Sequence, residues 1–149
     1  EHSSRAPMVI AGPGIAPGTQ RDQLVYLHDV VPWLYEQSGI TVPEELHARN
    51  PDAKPRESLV LNYRDIQRSI VEEQWKLIVY PKVGLVQLFD LEADPHEQYN
   101  LAGTDEHAER VHQMRAALIK EMAATGDTAS IPMDLVPAPD QPDPSNPVP

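Results

Sequence analysis

The chain has 149 residues, a formal net charge of −11, 12 Lys and Arg together and no cysteine. That length suits one domain with a real core plus tails, and the charge argues against a nucleic-acid binder or a partner of anionic membrane surfaces, both of which need clustered cations. Without cysteine there is no disulfide framework, no thiolate zinc site and no cysteine nucleophile, and the redox compartment stays open. No apolar run approaches the roughly 20 residues that span a bilayer. The opening EHSSRAP lacks the charged start and apolar stretch of a signal peptide, and the missing initiator Met points to processing or to a chain cut from something longer.

Taken in order, PMVIA reads as a strand that ends at the turn-forming GPGIAPG. Being apolar on both faces, it fits a strand buried inside a parallel sheet, and no second strand of that kind follows. LVYLHDVVPWLYEQSG predicts a short helix over residues 30–38, with Asp29 as its cap, Pro32 inside the first turn and Gly39 as the stop. Residues 43–57 are polar and proline-rich and read as a surface connection. The period then changes. SLVLNY, QRSIV, WKLIVY and VQLFDL predict an antiparallel four-stranded meander. A helix over residues 106–124 carries Ala108, Val111, Met114, Leu118 and Met122 at three- and four-residue spacing and should cover one face of the sheet. Asp105 is placed to cap this helix and Gly126 to end it. Residues 129–149 are proline-rich, without helical or strand period, and predict an extended, weakly ordered tail.

The most chemical stretch is LFDLEADPHEQYNLA, with Asp90, Glu92, Asp94 and Glu97 close together. A calcium loop fails there, because Pro95 stands where the sharp turn needs glycine and Leu101 where a bidentate glutamate is needed. A structural account uses every residue: Asp94 as N-cap, Pro95 in the first helical position and Glu97 reaching back as a capping box. VIAGPGIAPG lacks the donors and the following helix of a phosphate loop. His107 and His112 lie about 140° apart around a helix axis and cannot share a metal. His28 beside Asp29 has no nearby Ser or Thr that makes a triad legible. Arg64 and Arg68 bring two cations to the first strand connection, where they would meet an anionic ligand or simply be solvated.

Several separated segments resemble one family, the sulfatases of the alkaline-phosphatase-like superfamily. EHSSRAPMVIAGPGI resembles the family's Y-E-x-S-x-R-V-P segment with its strand and GPG turn. LVYLHDVVPWLYEQSGI is similar to D-x-x-P-T-L-L-x-L-A-G-I, with Trp33 in place of threonine. VEEQWKLIVYP resembles the R-x-G-x-W-K-L-I hairpin, and LFDLEADPHEQYNLA resembles L-[FY]-D-L-x-x-D-P-x-E-x-x-N-L. Together they cover nearly all of residues 1–128 in the family's order.

The resemblance implies sulfuric ester hydrolysis by a formylglycine made from Cys or Ser in C/S-x-P-x-R, beside a calcium ion held by aspartates and an asparagine. No C/S-x-P-x-R and no Asp-Asn pair occurs here. The expected chain is therefore the C-terminal portion of a sulfatase-like hydrolase, inactive by itself. It has no catalytic or metal-ligating residue of its own, and calcium and formylglycine are implied only for the complete enzyme.

The implied fold is an α/β, or α+β, fragment: one strand of the main sulfatase sheet plus a C-terminal antiparallel four-stranded sheet packed by a terminal helix. Residues 1–42 would end the catalytic α/β domain, 43–57 connect, 58–128 form the sheet-and-helix subdomain and 129–149 the tail. The implied partners are the catalytic N-terminal half and a sulfate-ester substrate. His2, which would sit just after the family's active-site lysine, joins Arg64 and Arg68 as the substrate-binding candidates. The competing expectation is a non-enzymatic interaction or scaffold module that uses its acidic surface or proline-rich tail.

Overall fold

The computed structural model describes residues 6–12, 15–44, 46 and 55–140. They form two compact units, Ala6–Leu59 and the residues from Val60 onward.

In the first unit a 3-10 turn, Leu27–Asp29, runs directly into helix α1, Val30–Gln37. Pro32 is buried in the first turn of α1, where its missing N–H costs nothing. The helix ends in a complete Schellman motif. Gly39 takes φ +67, its N–H donates to Glu36 O, and the Ile40 N–H donates to Tyr35 O. Asp29 does not cap α1 as the sequence suggested. It has helical backbone angles, and its side chain turns back to accept from the Tyr26 N–H.

The both-faces-apolar segment at residues 8–11 forms no strand among the described residues, and it is exposed. The reason is physical: such a strand needs parallel neighbours on either side, and the described residues supply none to it.

The second unit is a five-stranded mixed sheet with a helix on one face. Strands β1 (Ser58–Tyr63), β2 (Gln67–Glu72), β3 (Trp75–Tyr80), β4 (Leu85–Asp90) and β5 (Val136–Pro137) lie side by side in chain order. The β2, β3 and β4 pairings are antiparallel, with Ile70 opposite Leu77 and Leu77 opposite Leu88. Strand alternation therefore puts Ile70, Leu77, Val79, Val86 and Leu88 on one face. Helix α2, Ala108–Ala124, lays Met114, Leu118 and Met122 onto that face, and all eight side chains are buried together. Burial of each large side chain stabilises by about 1.5–3 kcal/mol, so sheet and helix form one cooperative core.

Helix α2 starts from a 3-10 turn, Asp105–His107, without a side-chain cap from Asp105. It ends as expected at Gly126, where φ is +75 and the Asp127 and Gly126 N–H groups donate to Met122 O and Ala123 O.

Two expectations change in the second unit. No helix starts at Pro95, and the first helical turn after β4 is the 3-10 turn Leu101–Gly103, so Asp94 and Glu97 build no capping box. Asp94 instead accepts from the Gln98 and Tyr99 N–H groups, and Asp90 accepts from those of Glu92 and Ala93. The carboxylates still turn the backbone, by Asx-type bonds rather than a helix cap. Secondly, residues 129–140 are docked and not a loose tail. Ala129, Ile131 and Leu135 pack on the core, and β5 runs parallel to the edge of β4. Pro137 is tolerated because an edge strand needs donors on one side only. The remainder of the expected tail lies outside the described residues.

Candidate functional site

Three buried or half-buried ion pairs among the described residues organise the polar side chains. In the first unit Asp29, 1% exposed, receives a fork from Arg56: Nε to Oδ2 at 2.5 Å and Nη2 to Oδ1 at 2.6 Å. The same guanidinium lies 4.5 Å over the Tyr26 ring, on which His28 stacks. A bidentate arginine is the geometry that keeps a buried carboxylate charged. His28 Nε2 is 3.6 Å from Asp29, but the Arg56 fork holds both carboxylate oxygens, so no triad is assembled.

On the sheet face away from α2, Lys76 of β3 donates from Nζ to both Glu97 oxygens, at 2.8 and 2.9 Å. Both residues are buried, and Glu97 reaches this position from a left-handed backbone at φ +55. Burial pushes the Glu97 carboxyl up, but hydrogen bonding and positive charge, those of Lys76 foremost, hold the group below its ordinary range. Burial raises the neighbouring Tyr80 phenol, and the Glu97 charge adds to it, so Tyr80 stays protonated and donates to Gln87 Oε1 at 2.9 Å. A carboxylate locked ionised and a phenol locked neutral do no proton transfer near pH 7. This cluster pins the post-β4 loop to the sheet.

The third pair ties β2 to the end of α2. Arg68 donates to Asp127 from Nε at 2.6 Å, and from Nη1 to Arg64 O at 2.6 Å and Gln67 O at 3.0 Å. The Arg68 hydrogen bond holds the Asp127 carboxyl below its usual range. Of the three candidate substrate contacts, His2 lies outside the described residues. Arg68 is buried with its guanidinium engaged. Arg64 is exposed on the β1–β2 turn at φ +51, its guanidinium 5.6 Å from the Tyr63 ring centroid. The structure brings Arg64 and Arg68 together through the Arg64 carbonyl.

Sequence reading missed the partners of these clusters. Arg56 lies in a stretch that reads as a surface connection, Lys76 in one that reads as a strand, and Glu97 fits a local cap. No spacing pattern links residues that meet across 21 or 27 positions.

For a metal or a formylglycine the residues do not fit. Among the described residues no group of three or more His, Asp or Glu side chains could hold a cation, and the chain has neither a cysteine nor a Ser-x-Pro-x-Arg from which a formylglycine is made. Nor is any helix among them long and apolar enough to cross a membrane. His107 rests against Trp75, 5.4 Å between ring centroids, and its Nδ1 is 2.9 Å from Thr104 Oγ1.

The second unit is a meander closed by a helix, and the ion pairs described above hold loops and element ends in place. Comparison with known proteins gives the protein class. The family model described as N-sulphoglucosamine sulphohydrolase, C-terminal, matches residues 1–124. An arylsulfatase of Clostridium perfringens is 30% identical over 136 residues, 82% of this chain and 28% of its own length. Arylsulfatase K of Xenopus laevis is 31% identical over 76% of this chain and 25% of its own. The choline-sulfatase of Rhizobium meliloti is 37% identical over 68% of this chain and 22% of its own.

A solved protein in complex with its substrate D-glucosamine-2-N,6-O-disulfate shares the fold at a TM-score of 0.60 and 19% identity, covering 67% of this chain and 24% of that one. A 2-O glycosaminoglycan sulfatase shares it at 0.57 and 24% identity, covering 66% and 25%. The chain belongs to the sulfatase family, as a C-terminal portion. It spans about a quarter of the length of the curated relatives it matches.

Proposed function

We propose that this chain is the C-terminal portion of a sulfuric ester hydrolase, and that it supports a catalytic portion of the same polypeptide without performing chemistry itself. The observation that carries the reading is the family match over residues 1–124 by a chain that spans about a quarter of its relatives' length; three ion pairs engage Asp29, Glu97 and Asp127 in contacts that hold the fold. On this reading the formylglycine and calcium implied for the family belong to the catalytic portion, and a sulfate ester is the substrate class.

Arg64 is the side chain proposed to face the anionic substrate, because it is exposed on a turn whose carbonyl Arg68 fixes. Arg68 is then a positioning residue. His2 is proposed as a second contact on the resemblance alone.

Assay of the full-length gene product and of the 149-residue chain with an aryl sulfate tests this. Turnover by the full-length protein and none by the chain is the expected result. Turnover by the chain alone, or none by a full-length protein with its nucleophile matured, would remove the proposal. Only the second of these outcomes would leave the scaffold-module alternative standing, resting on the acidic surface, since residues 129–140 of the proline-rich segment are already committed to the sheet.

A further inference from the structure

The family match covers residues 1–124 and so stops at the end of α2, yet the chain beyond it is built into the sheet. Among the described residues, 131–140 make no main-chain hydrogen bond with one another; those they make run to the surface beneath them. The Val136 and Ala138 N–H groups donate to Gly84 O at 2.8 Å and to Val86 O at 2.9 Å. Donors from alternate residues are the pattern by which an extended peptide adds itself to a sheet edge. The residue between them is Pro137, which has no N–H to leave unpaired.

The side chains around the segment hold it as a bound peptide is held. Asn100 donates from Nδ2 to Ala138 O at 2.6 Å and from its own N–H to Asp140 Oδ1 at 2.8 Å. A Cβ on Gly103 would stand 3.4 Å from Pro137 Cβ and Cγ, so the glycine leaves the ring its seat. Arg115 of α2 is the clearest case. Of the three buried cations among the described residues, Arg68 and Lys76 meet carboxylates. Arg115 instead donates from Nη2 to Pro132 O at 2.9 Å and to Met133 Sδ at 2.9 Å, and its Nε has no partner. A guanidinium taken out of water without a counter-charge is costly, and this one is spent on a single extended segment. Ile131 and Leu135 anchor that segment on the core, whereas Met133 and Val136 are 78% and 60% exposed. Prolines at 132, 137 and 139 fix φ at about −65° and lower the entropy lost when such a strand is bound.

We propose that the edge of β4 away from β3, the Leu101–Gly103 turn and Arg115 of α2 form a peptide-recognition groove for an extended strand with proline between its N–H donors, and that residues 131–140 are its built-in ligand. Recognition resides in the sequence of the segment and not in its covalent link to α2. The groove neither needs the sulfate-ester reading nor supports it.

In the full-length gene product a protease recognition sequence is inserted after Thr128 and cut once the protein has folded. The cut segment should leave on gel filtration. A fluorescent synthetic peptide of residues 129–140 should then take its place, read as saturable anisotropy that the uncut protein does not show. N-methylation of Ala138 in the peptide, which removes the donor to Val86 O, and Leu135→Glu should each weaken binding about tenfold, as loss of one hydrogen bond or anchor does. Val136→Thr, at an exposed side chain, should stay within about twofold. On the groove side, Arg115→Leu and Gly103→Val should weaken the unaltered peptide about tenfold.

A scrambled peptide that binds equally well would overturn the groove, as would equal binding to the uncut protein or unchanged affinity in both groove variants. A cut protein that keeps its segment against an excess of labelled peptide, or that unfolds when the segment leaves, would also overturn it. Either result makes residues 129–140 part of the core and not a ligand.

Discussion

Lys76 and Glu97 stand 21 residues apart in sequence and 2.8 Å apart in space, with both oxygens of the carboxylate on one ammonium. The pair joins the middle of the sheet to a loop that has no regular structure of its own. Removing the cation takes two charged hydrogen bonds from a buried carboxylate. Lys76→Met should therefore cost about 3–5 kcal/mol, read as a lower urea midpoint with an unchanged slope. A double-mutant cycle with Glu97→Gln should return a coupling above about 1 kcal/mol. A midpoint within error of the parent would show that the loop is held by something else.

The same pair sets a pH window. Unfolded, Glu97 and Asp127 take up protons near their ordinary 4.5 and 3.8. Folded, both carboxyls are depressed: in Glu97 burial is overcome by hydrogen bonds and positive charge, Lys76 foremost, and Asp127 is lowered by its bond from Arg68. Between the two states the unfolded chain binds more protons, so the stabilisation is complete above about pH 5 and is lost as the pH falls through the folded values. Melting temperature followed from pH 7 to pH 3 should fall on the acid side, and Glu97→Gln should flatten part of that fall. A melting temperature that rises on acidification would contradict the assignment.

Asn100 connects three pieces of backbone. Its Oδ1 accepts from the Leu88 and Ala102 N–H groups, and its Nδ2 donates to Val86 O and to Ala138 O at 2.6 Å. Asn100→Ala breaks all four bonds and should cost on the order of 2 kcal/mol. Because the Ala138 bond is lost with the rest, the 136–140 segment should become the first site of limited proteolysis. Cleavage starting elsewhere in the variant would count against this.

Arg64 and Arg68 separate binding from structure. In the full-length protein Arg64→Ala should raise KM for an anionic sulfate ester by roughly threefold to tenfold, with kcat and melting temperature unchanged, as loss of a uniform binding contact does. Arg68→Ala should instead destabilise by about 1.5–3 kcal/mol, since it breaks charged hydrogen bonds to Asp127 and the Arg64 carbonyl. Should Arg64→Ala leave KM alone, the turn is simply solvated.

Where local chemistry and periodicity decide an element, the sequence is legible. The four strand runs and the α2 stripe of Met114, Leu118 and Met122 appear where the period-2 and period-3.6 patterns place them, and Gly39 and Gly126 stop their helices through left-handed backbone. Reading failed where a side chain had a choice of partner. Asp29 and Glu97 both fit a local cap, but each is drawn to a distant cation, because a buried charged hydrogen bond outweighs a cap of about 1 kcal/mol. The candidate site shows the same divide. Arg64 and Arg68 look alike in sequence, and only burial tells the exposed one from the one engaged with Asp127.

The sequence by itself determined the family, the meander and its closing helix, because those rest on spacing and on motifs read within a few residues. Tertiary structure alone decided which cations meet which carboxylates, that residues 129–140 close the sheet edge, and that residues 8–10 lie exposed. Those outcomes depend on what surface is left uncovered once the core has formed, and no local pattern encodes that.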